Sequence, residues 1–294
     1  MIKSFNELLD ICQQEQKAIY QVTIDQEVEL MESSPDEIYE RMEFQLKAME
    51  NSIDKGLAGV VSHSGLTGGD AKKMASYLKE GRSLLGPMAA EAVMNALAVN
   101  EVNAAMGIIC ATPTAGSAGV LAGVLMAVRD RLGLSRQDQI NFLLTAGLCG
   151  MIIGNNASIS GAEGGCQAEV GSASAMAAAA LVEAAGGSPA MSIEAIAMDL
   201  KNILGLACDP VAGLVEIPCI KRNAIGVANC FTAADMALAG IKSRIPCDEV
   251  VAAMGRIGKM LPEALKETAL GGLAATPTAQ RMRAELSKKK KELI

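Results

Sequence analysis

Apolar residues along this chain recur every three to four positions over runs of roughly 10–20 residues, separated by short stretches of Gly, Pro, Ser and Thr. The clearest run carries Ile38, Met42, Leu46, Met49 and Ile53, whose steps of 4, 4, 3 and 4 put all five on one helical face. Ser34-Pro35-Asp36-Glu37 opens it as a capping box: Ser34 caps, Pro35 fits the first helical position, and Glu37 reaches back. Gly56 is expected to end it. Ser4-x-x-Glu7 opens an earlier helix expected to run to residue 20. Further helices are expected over 71–79, 87–107, 120–131, 173–185, 193–204 and 222–239. Others run from the Ser135 cap to 153, from Pro246 to 260, and from Pro277 into the tetralysine run at 288–291, read as a solvated helix end.

Strand-like alternation is nearly absent, so the pattern predicts an all-α fold, a single helical domain over residues 1–294 with neither linker nor repeat. Residues 1–55 are more charged than the rest and are expected to form a peripheral helical layer.

Composition sharpens this picture. Half the residues are hydrophobic but only 2% are aromatic, with no Trp, so the core must be built from Ala, Leu, Ile, Val and Met in closely packed helices. A net charge of −7 and the scarcity of aromatics argue against nucleic acid as a partner. No apolar run reaches the ~18 residues of a membrane span; the nearest, 142–153, is short and contains Thr and Gly. The polar N-terminus reads as a helix start rather than a signal peptide, so a cytoplasmic location is expected. There, eight cysteines read as metal-binding, catalytic or buried thiols rather than disulfides.

Three loops stand out: 62–70, 112–119 and 155–166, each dense in Gly, Ser, Thr or Asn and each set between apolar helices. One such loop is an ordinary helix cap. Three of them suggest a shared polar pocket, where N–H groups at helix N-termini could take a carboxylate. His63 is the only histidine, and it lies in such a loop rather than on an apolar face, which makes it a candidate for proton transfer or substrate contact.

Cys166, Cys208 and Cys219 sit among glycines and prolines, 42 and 11 residues apart, with no CxxC that would indicate a zinc finger or a bacterial ferredoxin. Cys208 precedes Asp-Pro and Cys219 follows Pro, so both lie where helices begin or end and backbone N–H groups are free. Cys12 reads as inert in a polar N-terminal helix, Cys149 and Cys230 as core, Cys247 as a first-turn residue and Cys110 as a reserve ligand. Three thiolates on a cubane leave one iron without a protein ligand, a Lewis acid suited to dehydrating a hydroxy acid. Glycine fingerprints for nucleotides are absent, as is a convincing lysine motif for pyridoxal phosphate.

The stretches Asn156-Ala-Ser-Ile-Ser-Gly-Ala-Glu-Gly-Gly-Cys166-Gln-Ala-Glu-Val-Gly and Cys208-Asp-Pro-Val-Ala-Gly-Leu-Val-Glu-Ile-Pro-Cys219-Ile-Lys-Arg-Asn-Ala closely resemble the iron–sulfur-dependent L-serine dehydratases (L-serine deaminases), specifically their α subunit or α domain. The resemblance spans residues 62–278. It implies an all-helical unit holding a [4Fe–4S] cluster through Cys166, Cys208 and Cys219, without pyridoxal phosphate. The implied reaction converts L-serine to pyruvate and ammonia, a step of amino-acid degradation and gluconeogenesis. The open iron would take the 3-hydroxyl while a base removes the α-proton. Ser64, Gly65, Thr67 and Gly68, with Thr112, Thr114, Ala115, Gly116 and Ser117, resemble the family's substrate-binding loops. Asn156 heads the first motif and joins that set, and His63, Ser64 and Thr67 are the catalytic candidates. In single-chain members the α part is fused to a β domain, and some end in a cysteine-bearing tail. This sequence carries neither, so it resembles the α subunit of the two-chain type. That implies a separate β subunit, often with an ACT-type regulatory module, in a hetero- or homo-oligomer.

Two other readings compete. One is a non-catalytic helical metal-binding or scaffold subunit whose polar loops contact a partner. The other keeps the enzyme but takes threonine or another 3-hydroxy amino acid, a choice that turns on one methyl group and ~1–3 kcal/mol.

Overall fold

The computed structural model describes residues 1–292, with side chains described to Lys289. It is an all-α domain with no strand among the described residues. The helices are α1 (Phe5–Glu15), α2 (Ile19–Met31), α3 (Pro35–Ala58), α4 (Asp70–Lys79), α5 (Pro87–Ala104), α6 (Ala118–Arg129), α7 (Arg136–Asn156), α8 (Gly161–Gly164), α9 (Ser172–Ala184), α10 (Pro189–Ile203), α11 (Cys219–Leu238), α12 (Cys247–Met260) and α13 (Pro277–Glu292). Lys288 and Lys289 are exposed, as expected of a solvated helix end; the side chains of the other two lysines of that run lie outside the described residues.

Small residues set the architecture. The segments α5, α6 and α9 are buried almost all round and so show no polar face, as a central helix must. In α9 the run from Ala177 to Ala180 is fully buried. Without bulky side chains, backbones approach closely: a Cβ on Gly123 would lie 2.6 Å from the Ala92 carbonyl oxygen, and one on Gly119 would run into that of Ala96. Thus α6 beds directly on α5. A second apolar cluster joins Phe5, Leu8, Ile19 and Val22 of α1 and α2 to Leu148 and Ile152 of α7, Ile196 and Leu200 of α10, and Val250 and Met254 of α12.

Several helices are capped by residues far away in sequence. At α3 the cap is local, with Glu37 N–H donating to Ser34 Oγ at 3.3 Å and Ser34 N–H donating to the Glu37 carboxylate at 2.8 Å. The start of α2 has only Ala18 at its N-cap. Glu183 of α9 takes its place, accepting from Ile19 N–H at 2.6 Å. Gly69 precedes α4, and Glu101 of α5 accepts from Asp70 N–H at 2.6 Å. Asp248 of α12 accepts from Phe5 N–H at 2.8 Å and reinforces Ser4 on α1. Each carboxylate meets orphan donors and the positive end of a helix dipole.

The structure corrects four sequence readings. The first helix stops at Glu15, because Gln16 is left-handed (φ 53°), and a separate helix occupies Ile19–Met31. Gly56 lies inside α3 and lets the Ala98 backbone approach; the helix continues to Ala58. The stretch 155–166 is only partly loop, since α7 runs to Asn156 and α8 follows. Cys12, placed in a polar helix, is buried on its apolar side. Among the described residues no helix is long and apolar enough to cross a membrane.

Candidate active site

Three buried or half-buried thiols share one neighbourhood between α8, α9, α11 and the segment after α12. Cys166 follows Gly165, whose φ of 78° turns the chain out of α8, and it precedes a π-helical turn over Gln167–Gly171 that leads into α9. The Cys208 loop is held on both sides of the chain. Gln167 N–H donates to Leu206 O at 3.1 Å, Cys208 N–H to Leu265 O at 2.9 Å, and Glu267 N–H to Cys208 O at 2.7 Å. Buried Gln167 adds Gly205 N–H to its amide oxygen at 2.9 Å and gives its own amide hydrogens to Gly164 O and Met254 O. Cys219 is the first residue of α11.

Burial pushes these thiols up, Cys166 to about 11 and Cys219 to about 12. Cys208 is raised as well, by burial first and then by Glu169 and the other two sulfurs. Each sulfur therefore lies within electrostatic reach of its fellows. Among the described residues no three His, Cys, Asp or Glu side chains close on a single ion position.

Two carboxylates tie the polar loops to this stretch. Glu216 is buried, accepting from Ser64 Oγ at 2.9 Å and from Thr67 Oγ1 at 2.7 Å. Glu169, in the π-helical turn, accepts from Thr114 Oγ1 at 2.8 Å and lies 3.8 Å from Cys208 Sγ. Burial raises the Glu169 carboxyl, and the Thr114 bond opposes the rise. Gly161 leaves room for both groups, since a Cβ there would lie 2.5 Å from Glu169 Oε2 and 3.1 Å from Cys208 Sγ.

The loops themselves are tightly wound. Ser62 N–H donates to Thr67 O at 3.0 Å, and Gly68 (φ 140°) presses on the Val60 carbonyl, where a side chain would collide. In the second loop Ser117 Oγ donates to Thr112 O at 3.1 Å. Asn223 of α11 fastens that loop from below, giving its amide hydrogens to Gly116 O at 2.7 Å and Cys219 O at 2.9 Å.

Glu216 thus gathers Ser64 and Thr67, Glu169 gathers Thr114 and Cys208, and Asn223 joins Gly116 to Cys219. Thr112 and Ser117 are buried beneath the second loop, while Gly65 and Ala115 are exposed at loop tips and Gly68 is half-buried. His63 is exposed on the first loop. Asn156 is not brought to this group: its amide donates to Lys3 O and Ile152 O, both at 2.8 Å, on the N-terminal side. Cys110 packs against the main core. Sequence reasoning passed over Glu169, Glu216, Gln167 and Asn223. The available signal was a carboxylate set inside each small-residue cysteine motif, since such a group, once buried, requires a donor.

The sequence profile of the family described as "Serine dehydratase alpha chain" matches residues 14–274. A Bacillus subtilis protein named "Probable L-serine dehydratase, alpha chain" is 58% identical over 289 residues, covering 98% of this chain and 95% of that protein. The "L-serine dehydratase, alpha chain" of Peptoniphilus asaccharolyticus is 42% identical over 98% of this chain and 99% of its own length. An "L-serine dehydratase" of Streptomyces coelicolor is 41% identical over 81% of this chain but only 53% of that protein.

Proposed function

The chain belongs to the serine dehydratase alpha-chain family, and on that footing we propose that it dehydrates and deaminates L-serine to pyruvate and ammonia. The observation that carries this reading is the meeting of three thiols with two hydroxyl-rich loops, each loop fastened by a carboxylate from the cysteine motifs.

Cys166, Cys208 and Cys219 are the thiols that would hold a [4Fe–4S] cluster, which takes one thiolate per iron and so does not ask its ligands to close on one ion. The donor set fits such a site: the three thiols are free of disulfides, and they lie on adjoining segments where Gly161, having no side chain, lets Cys208 and Glu169 approach closely. When bound, the cluster supplies a Lewis acid for the substrate's 3-hydroxyl through the iron that has no protein ligand.

The chain's own groups then orient the substrate. Glu216 fixes Ser64 and Thr67, and Glu169 fixes Thr114, so the loops 64–68 and 112–117 keep a set shape around the substrate. Glu169, beside Cys208 and bonded by Thr114, is the carboxyl placed to take part in proton transfer, and His63 stays a candidate on the exposed first loop. Loss of the α-proton and the 3-hydroxyl as water leaves an enamine. The enamine tautomerises to an imine, which water hydrolyses to pyruvate and ammonia.

The reading includes a separate beta chain as partner, as the alpha-chain names of the relatives suggest. An ACT-type module on that chain and a cytoplasmic location belong to it as well. The test is anaerobic reconstitution of the purified chain, alone and with its beta chain. Iron and labile sulfide should be taken up, the visible spectrum should change on adding L-serine, and pyruvate should be released. A chain that takes up neither iron nor sulfide would overturn the reading.

A further inference from the structure

The Cys208 and Cys219 segments are joined by one side chain that the reaction scheme does not use. Arg222 follows Cys219 by three residues, so it rises from the first turn of α11. Its Nη1 donates to Ala207 O at 2.7 Å and pairs with Asp209 Oδ1 at 2.7 Å, gripping the Cys208 loop immediately before and after the cysteine. The pair is well shielded, with side-chain exposures of 14% and 5%. The Arg222 charge also acts on the Cys166 thiol, opposing the rise that burial causes there. Asp209 carries the link onward, its Oδ2 accepting from Leu273 N–H at 2.7 Å beyond α12.

We propose that Arg222 is a positioning residue that holds the Cys208 and Cys219 segments in mutual register for the [4Fe–4S] cluster. The inference rests on the proposed function for the cluster, but its geometry is a property of the chain alone. A guanidinium suits the task because its planar fork serves several acceptors in fixed directions, whereas an ammonium is a point donor on a flexible stem. No other side chain described here joins the Cys219 helix to the Cys208 loop. The amide bonds of Cys208 reach the residues after α12, and Gln167 joins the Cys166 segment to Gly205 and Leu206 without reaching Cys219.

The test compares the parent chain with Arg222→Met and Arg222→Lys, with Arg136→Met as a control. Arg136 pairs with Glu43 and Glu50, with no contact to the cysteine segments. Two readouts are taken: amide hydrogen exchange at 205–210 and 272–274 in the metal-free chain, and the half-life of the reconstituted cluster under chelator challenge. In Arg222→Met, exchange in both segments should speed up at least tenfold and the cluster half-life should fall at least tenfold. Arg222→Lys should recover less than half of either loss on a logarithmic scale. Arg136→Met should lower the melting temperature yet leave both readouts at parent values. Unchanged exchange and half-life in Arg222→Met would overturn the inference, as would full recovery by lysine. Should Arg222→Met fail to fold, Arg222→Lys decides by the same two readouts. Should the parent chain take up no iron, the proposed function falls, and the exchange measurement still decides whether Arg222 holds the segments.

Discussion

Thr67 donates its hydroxyl hydrogen to Glu216 at 2.7 Å, across 149 residues of sequence. Ser64 donates to the same oxygen at 2.9 Å. The first polar loop thereby takes its shape from a carboxylate one helical turn before Cys219. Hydrogen bonds to a charged group contribute about 1.5–3 kcal/mol each. Glu216→Gln keeps the shape but loses the charge, and should lower kcat/KM for L-serine by about 10- to 100-fold at equal iron content. Steady-state kinetics on iron-matched protein check this, and a value within twofold of the parent would remove Glu216 from the site.

Gly161 faces Glu169 and Cys208 with no room for a side chain. Gly161→Ala forces the new methyl against Glu169 Oε2 and Cys208 Sγ, so the Glu169 carboxylate must swing off Thr114 and the thiol must shift. The variant should keep its helical circular dichroism but bind less than half the iron of the parent. Colorimetric iron and sulfide assays beside the far-UV spectrum test it; full iron binding would show that this space is not needed.

Asp199 is fully buried on α10, and its carboxyl oxygen lies 2.7 Å from Ser174 Oγ, which lies 2.7 Å from the Gly226 carbonyl as well. One hydroxyl hydrogen cannot serve two acceptors. The arrangement closes if Asp199 is protonated and donates to Ser174, while Ser174 donates to Gly226. Burial raises the Asp199 carboxyl well above its ordinary value, which agrees. An acid with a folded pKa above its unfolded value near 3.9 stabilises the fold fully below that value, and the contribution is lost as pH rises toward the folded pKa. Each unit of separation corresponds to about 1.4 kcal/mol. Asn keeps the donor without the titration. Asp199→Asn should therefore gain stability on the parent between pH 5 and pH 8, as thermal melts would reveal; a constant gap would contradict a protonated Asp199.

Gly56 and Gly147 give opposite forecasts for one substitution. At Gly56 a methyl would strike the Ala98 backbone, while at Gly147, exposed on α7, nothing lies within 4 Å. Gly56→Ala should destabilise by about 1–3 kcal/mol through overpacking. Gly147→Ala should stabilise by about 0.5–1 kcal/mol by removing backbone freedom from the unfolded chain. Chemical denaturation of the two variants side by side measures both signs.

Much of this was legible in the chain itself. The capping box at Ser34, the face from Ile38 to Ile53 and the helix starts at Pro87 and Pro277 are local features, and they appear where the pattern puts them. Membership of the serine dehydratase family was readable from the two cysteine motifs. The helix at Ile19–Met31 was not, because its start lacks a local cap and Glu183 closes it from 164 residues away. The same applies to Glu169 and Glu216, whose importance lies in hydroxyls 55 and about 150 residues distant. Asn156 shows the converse: it heads a telling motif, yet its amide is taken by Lys3 O. Sequence reveals contacts within a turn or two, and this site is made of contacts between loops.

The long-range caps bear on how the domain comes apart. A helix whose first turn is closed by its own neighbour can unravel alone. One closed by another helix's carboxylate opens at greater cost, for its opening leaves that acid without its donor as well. With α1 fastened to α12, α2 to α9 and α4 to α5, the N-terminal third has no inexpensive way to detach. Local fraying is thereby converted into global cooperativity, and the start of α4, which carries the first polar loop, stays closed as long as α5 does.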